Sequence, residues 1–173
     1  MVSFIELSWE CNLESLTELK GKAMIARTEM LIRRPVAEVF EAFINPDITT
    51  KFWFTKSSGQ LETGKRIRWE WEMYNSSSEV NVKAVQPNKR ILVEWMGYGT
   101  LTAIEWTFTS RPDNTTFVSI TNSGFQGSDE EIAQQAISST EGFTFVLAGL
   151  KALLEHNINL HLIDDRFPDG LGE

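Results

Sequence analysis

The chain has 173 residues, a formal net charge of −8 and a pI near 4.9, a length at which one domain buries enough core to fold without a metal or a disulfide. Its one cysteine, Cys11, excludes an intramolecular disulfide and a multi-cysteine zinc cluster, and it makes a reducing, cytoplasmic home the simpler expectation. Sixteen Lys and Arg against 24 Asp and Glu repel phosphate backbones and anionic lipid, so nucleic acid is not an expected partner.

Residues 1–22 mix apolar and acidic positions and read as an N-terminal extension ahead of one domain over 23–173. A short helix over Glu14–Lys20, with Leu13, Leu16 and Leu19 on one face, is its candidate element. Cys11 has no His or basic neighbour in sequence and reads as an inert thiol. The first ten residues lack a basic start and are broken by Glu6 and Glu10, unlike a signal peptide. No membrane insertion is expected either, because Gly149 and Lys151 interrupt the apolar segment Phe143–Leu154 well short of about 20 residues.

From Ala23 to Arg33 the pattern is that of a strand; Pro35 stops it and suits the first turn of a helix through Val36, Val39, Phe40 and Phe43. Asn45-Pro46 ends that helix, and a second short one is expected over 46–51. The period then changes. Ser57-Ser58-Gly59 and Thr63-Gly64-Lys65 read as turns, after which Ile67, Trp69, Trp71 and Met73 alternate with Arg68, Glu70 and Glu72 as in a half-buried strand. Asn75–Ser78 reads as a hairpin loop. Strands through Val80–Ala84, Ile91–Trp95, Ile104–Phe108 and Thr116–Thr121 follow, separated by Pro87-Asn88, the Gly97/Gly99 turn and Arg111–Asn114. Turns this short join sequential antiparallel neighbours, so a meander is predicted.

At Ser128 the period becomes helical. Ser128-Asp129-Glu130-Glu131 fits a capping box with acid in the first turn, and Ile132, Ala136, Ser139, Phe143, Val146, Leu147, Leu150, Leu153 and Leu154 make one face of a helix over about 129–156. At 1.5 Å per residue such a helix is about 40 Å long, enough to cross the sheet. Pro168-Asp169-Gly170 reads as the close of a short tail.

The order strand, short helices, antiparallel meander, long helix is an α+β helix-grip arrangement, with a curved sheet wrapped around the C-terminal helix. Several stretches carry a closer resemblance: Pro35–Phe43, Phe52-Trp53-Phe54, Arg68–Trp71, Pro87–Trp95, Thr121–Phe125, and Glu141-Gly142-Phe143 followed by Leu147–Leu154. In these the chain resembles the family named after the activator of the Hsp90 ATPase. That family lies within the group of steroid-transfer-related (START) lipid domains, birch-pollen-allergen-like proteins and polyketide cyclases. The resemblance implies a cavity between sheet and helix, with uses that differ among members. The co-chaperone that names the family carries a separate N-terminal domain for much of its chaperone contact. Residues 1–22 are too few for a domain of about 50 residues or more, so Hsp90 is not the expected partner.

If the sheet grips the helix, inward side chains either pack on it or line the space beneath. Trp53, Trp69, Trp71, Trp95 and Trp106 from the strand half, with Gly142, Phe143, Leu147 and Leu150 from the helix, are the candidate ligand-binding residues; plain core packing is the competing reading for the tryptophans. Gly142 and Gly149, seven residues apart, share a helix face at a cost of about 1 kcal/mol each relative to Ala, which either close packing or room for a ligand would offset. Glu70, Glu72, Glu94 and Glu105 alternate with the tryptophans and are expected to face solvent in a cross-strand network with Arg66 and Arg68. With the faces reversed they would enter the cavity with raised pKa values and serve as acid or base.

His156 and His161 supply at most two metal ligands, and there is no phosphate loop, dinucleotide fingerprint or Ser-His-Asp order. Accordingly no metal, cofactor or catalytic residue is assigned. Binding of a small hydrophobic or aromatic molecule is the favoured function. A polyketide-cyclase-like enzyme using a cavity carboxylate is one alternative. A protein-interaction module, a homodimer included, is the other, since aromatic excess also suits an interface.

Overall fold

A computed structural model describes residues 23–171; Cys11 and the predicted helix over Glu14–Lys20 lie outside them. Strand β1 (Ile25–Ile32) leads into helices α1 (Val36–Ile44) and α2 (Pro46–Thr49). Six strands follow: β2 (Lys56–Ser57), β3 (Arg66–Trp71), β4 (Ser76–Gln86), β5 (Arg90–Gly97), β6 (Thr100–Ser110) and β7 (Thr116–Ser123). The long helix α3 (Asp129–His156) comes after them. The sheet order is β1-β7-β6-β5-β4-β3-β2, every pair antiparallel. This is the predicted meander with β1 added at the far edge beside β7, and a register shift between Val82 and Ala84 breaks the β4–β5 ladder.

Alternation sets the inner face. Ile67, Trp69, Val80, Val82, Ile91, Val93, Ile104, Trp106, Val118 and Ile120 are all buried, and they form one core with Phe143, Val146, Leu147 and Leu150 of α3. Short turns hold the strands in register: Tyr98 and Gly99 both have positive φ (54° and 75°) between β5 and β6, as a two-residue hairpin turn requires.

The N-terminus of α3 is built as the sequence predicts. The Ser128 side chain accepts from the Glu131 backbone N–H, and the Glu131 carboxylate accepts from the Ser128 N–H at 2.7 Å. Asn157, at φ 54°, ends the helix. By length and composition α3 could span a membrane, which qualifies the expectation that no segment does; here Ala136, Ser139, Phe143, Val146, Leu147 and Leu150 on it are buried against the sheet. Thr144 bonds Thr28 of β1 (Oγ1–Oγ1 3.0 Å), and Asn122 of β7 donates to Ser139 at 3.0 Å, so the helix is fixed along the β1–β7 side.

One sequence reading needs correction. Asn75–Ser78 is not a hairpin loop: the reversal is a 3-10 turn over Glu72–Tyr74 closed by Asn75 at φ 48°, and Ser76–Ser78 pair with Trp69–Trp71 in the β3–β4 ladder. Neighbouring strands supply the hydrogen bonds, so the low strand propensity of three serines is overridden. Ahead of Pro168-Asp169-Gly170 the chain is tied down, because Tyr74 Oη donates to the Ile163 carbonyl and the Phe167 N–H donates back to Tyr74 Oη at 3.3 Å.

Candidate functional site

Small residues facing one another leave a space in the core. Ser76 and Ser78 on β4, on the same strand face as Val80 and Val82, look toward Ser138, Ser139 and Gly142 on α3, with Ser77 at the edge, and between them lies a cavity of about 380 Å³. Serine and glycine cannot fill the gap that larger side chains close elsewhere along the sheet. Trp53, Trp71, Trp95 and Phe143 form aromatic walls, while Tyr98 from the β5–β6 turn and Phe167 from the C-terminal segment stand at the exposed rim.

The predicted site residues divide into two groups. Trp53, Trp71, Trp95, Gly142 and Phe143 line the cavity. Trp69, Trp106, Leu147 and Leu150 do not: each is at most 1 % exposed and belongs to the core behind the wall. Trp69 is stacked on Phe54 (centroids 4.9 Å) and leans on Trp53 (4.8 Å), while Trp106 packs on Phe43 and Phe143. Packing and lining therefore both hold for the tryptophans, at different positions.

The two glycines divide likewise. A Cβ on Gly149 would sit 3.3 Å from the Phe52 carbonyl oxygen and 3.4 Å from Phe52 Cβ, a close approach to backbone. A Cβ on Gly142 would instead meet Arg166 Nη1 at 2.8 Å.

The strand carboxylates Glu70, Glu94 and Glu105 face outward, opposite the inward tryptophans, and Glu72, in the 3-10 turn after β3, is exposed as well. Glu70 pairs with Arg68 (3.5 Å), Glu72 with Lys56 (2.5 Å), Glu94 with Lys83 (3.2 Å) and Glu105 with Arg90. Of the predicted partners only Arg68 pairs with one of the four, and along β3 instead of across strands, since Arg66 reaches Glu79 at 3.7 Å. Hydrogen bonds from Lys56 and then Thr55 hold the Glu72 carboxyl below its usual range, the reverse of the raised pKa that a cavity acid requires. His156 is the last residue of α3, and His161 pairs with Asp164 at 3.1 Å; no group of three metal-ligating side chains occurs among the described residues.

Sequence reasoning missed Tyr74, Ser76–Ser78, Tyr98, Arg166 and Phe167. The serines carried no hydrophobic period to follow. Arg166 reaches the cavity through the C-terminal segment, whose return over β3 and β4 leaves no local pattern. The available signal was Gly142, whose cost inside a helix implied a close neighbour.

No curated protein matches the chain. Among solved structures, protein SSP2350 from Staphylococcus saprophyticus is 31 % identical with a TM-score of 0.68, covering 79 % of this chain and 96 % of its own. DynU16, a protein in the dynemicin biosynthetic locus, is 23 % identical at TM-score 0.68; the match covers 78 % of this chain and only 48 % of that one. The Aha1 dimer from Colwellia psychrerythraea is 20 % identical at TM-score 0.65, covering 77 % and 97 %. These last two share the helix-grip fold. Residues 33–155 match the family model described as activator of Hsp90 ATPase homolog 1-like protein, a span running from the end of β1 to the last turn of α3, and the chain belongs to that family.

Proposed function

We propose that the protein binds a small hydrophobic or aromatic molecule in the cavity between β3–β5 and α3. The observation that carries this reading is a space of about 380 Å³ walled by Trp53, Trp71, Trp95 and Phe143, a size and lining suited to a compact ligand held by apolar contact. Three tryptophans in the wall make intrinsic emission the natural reporter. Titration with a set of aromatic and lipid molecules is expected to give saturable changes in tryptophan emission and a raised Tm. A full set that produces neither would remove the binding role. Proton transfer by Glu70, Glu72, Glu94 or Glu105 has no support in this geometry, because none of the four lines the cavity.

One surface feature favours a second reading, association with another copy. Met96 and Leu101 are paired across β5 and β6, and they are 57 % and 48 % exposed; such a patch suits an interface. Light scattering that returns a monomer mass at high concentration would exclude it.

A further inference from the structure

We propose that the cavity selects a molecule with an apolar body and a single carboxylate, seated against Arg166; this rests on the binding role above. Among the described lining residues Arg166 is the one charged side chain, and no Asp or Glu faces the space, in a chain with a net charge of −8. An acidic protein whose described carboxylates all lie outside its cavity lining while one guanidinium enters it has a wall suited to an anion.

Arg166 is held in place. Its side chain is 16 % exposed, its guanidinium lies 4.9 Å from the Phe167 ring centroid and 5.7 Å from that of Phe145, and Nη2 donates to Glu141 Oε2 at 2.6 Å and to the Ser138 carbonyl at 3.4 Å. Arginine has five N–H donors, and Glu141, exposed on the outer side, does not use them all. Nε is buried without a partner among the described residues, and Nη1 lies over Gly142, itself part of the wall. Nη1, which donates to none of the described residues, is the donor that an acceptor in the cavity can reach. Asp164 and Asp165 flank Arg166 in sequence but are exposed and outside the lining, and Asp164 is engaged by His161.

The charge count limits the ligand. One guanidinium, already shared with the exposed Glu141 and with no second cation among the described lining residues, can offset at most one negative charge and leaves a phosphate dianion undercompensated in an apolar setting. A planar carboxylate also matches the guanidinium fork.

The test is calorimetric titration of the full chain with a naphthoate and with the corresponding naphthylmethanol, which keeps the ring and loses the charge. The expected result is tighter binding of the naphthoate by about tenfold or more. Arg166→Gln should bring the ratio of the two affinities close to one, and Glu141→Gln, which frees the guanidinium from its competitor, should raise it. Equal affinities in the unaltered protein, or a preference that survives Arg166→Gln, overturn the carboxylate proposal while leaving the binding role intact. Should Arg166→Gln not fold, a ratio unchanged in Glu141→Gln overturns it in the same way. Binding of neither probe, at any concentration up to their solubility, overturns the carboxylate proposal, while the binding role stands or falls on the full titration set above.

Discussion

At the residue scale, Gly142 and Gly149 put the same missing methyl to two uses. Replacing either by Ala gains about 1 kcal/mol of helix propensity, so the neighbour decides the sign. At Gly149 the neighbour is the Phe52 backbone, fixed by bonds from the Phe52 and Trp53 N–H groups to the Thr49 carbonyl at 3.1 and 3.0 Å. Overpacking there costs roughly 1 to 3 kcal/mol, and Gly149→Ala is expected to lose about 1 kcal/mol net. At Gly142 the neighbour is the far end of Arg166, a side-chain tip that can give slightly at less cost than backbone while keeping its bond to Glu141. Gly142→Ala is therefore expected to be neutral or stabilising by up to about 1 kcal/mol. Urea melts of the two variants check this; equal losses would show that Arg166 is as immovable as backbone. That these glycines needed compensation was legible in the sequence, but the identity of each neighbour depended on chain brought in from elsewhere.

At the element scale, the C-terminal segment is held over the cavity through Tyr74 on one side and Arg166 on the other. Tyr74, in the 3-10 turn before β4, bonds Ile163 and Phe167 through its hydroxyl and meets the Phe167 ring edge-on at 5.7 Å. Tyr74→Phe keeps the ring and removes the hydroxyl, at a cost of about 1 kcal/mol in global stability. The larger effect is expected locally, as faster amide hydrogen exchange at Ile163–Phe167 with exchange in α3 unchanged. Uniform acceleration across the molecule would mean that the segment is part of the cooperative core and not a separate cover. The rest of the element scale was readable because its signals are short-range. The Ser128–Glu131 capping box, the Pro35 stop and the alternation in β3, β5 and β6 each lie within a few residues, whereas Ser76–Ser78 joined a strand through neighbours, against their own propensity.

At the scale of the whole molecule, Glu155 ties the end of α3 to the end of β1. Its side chain is 6 % exposed and accepts from the Arg33 N–H at 2.7 Å and from Lys151 Nζ at 2.6 Å, while Lys151 also donates to the Leu31 carbonyl. Burial pushes the carboxyl up, but the Arg33 hydrogen bond and then Lys151 outweigh it, so the group titrates below its ordinary value. A folded pKa below the unfolded one contributes stability that is complete above the unfolded value of about 4.3 and is lost as pH falls through the folded value. Glu155→Gln is thus expected to cost about 2 kcal/mol at neutral pH, with the deficit shrinking in melts taken below about pH 4. A deficit independent of pH would assign the cost to packing and not to charge.

By itself the sequence determined the helix-grip architecture, the division of each long strand into an apolar and a polar face and the buried face of α3, because periods of two and 3.6 residues are properties of adjacent positions, but it left open which strand face turns inward. Only the tertiary structure decided where the core stays open and what charge faces the opening. Those features arise where serines of β4 meet small residues of α3 and where the returning chain lays Arg166 over Gly142, contacts between segments far apart in the chain for which no local pattern exists.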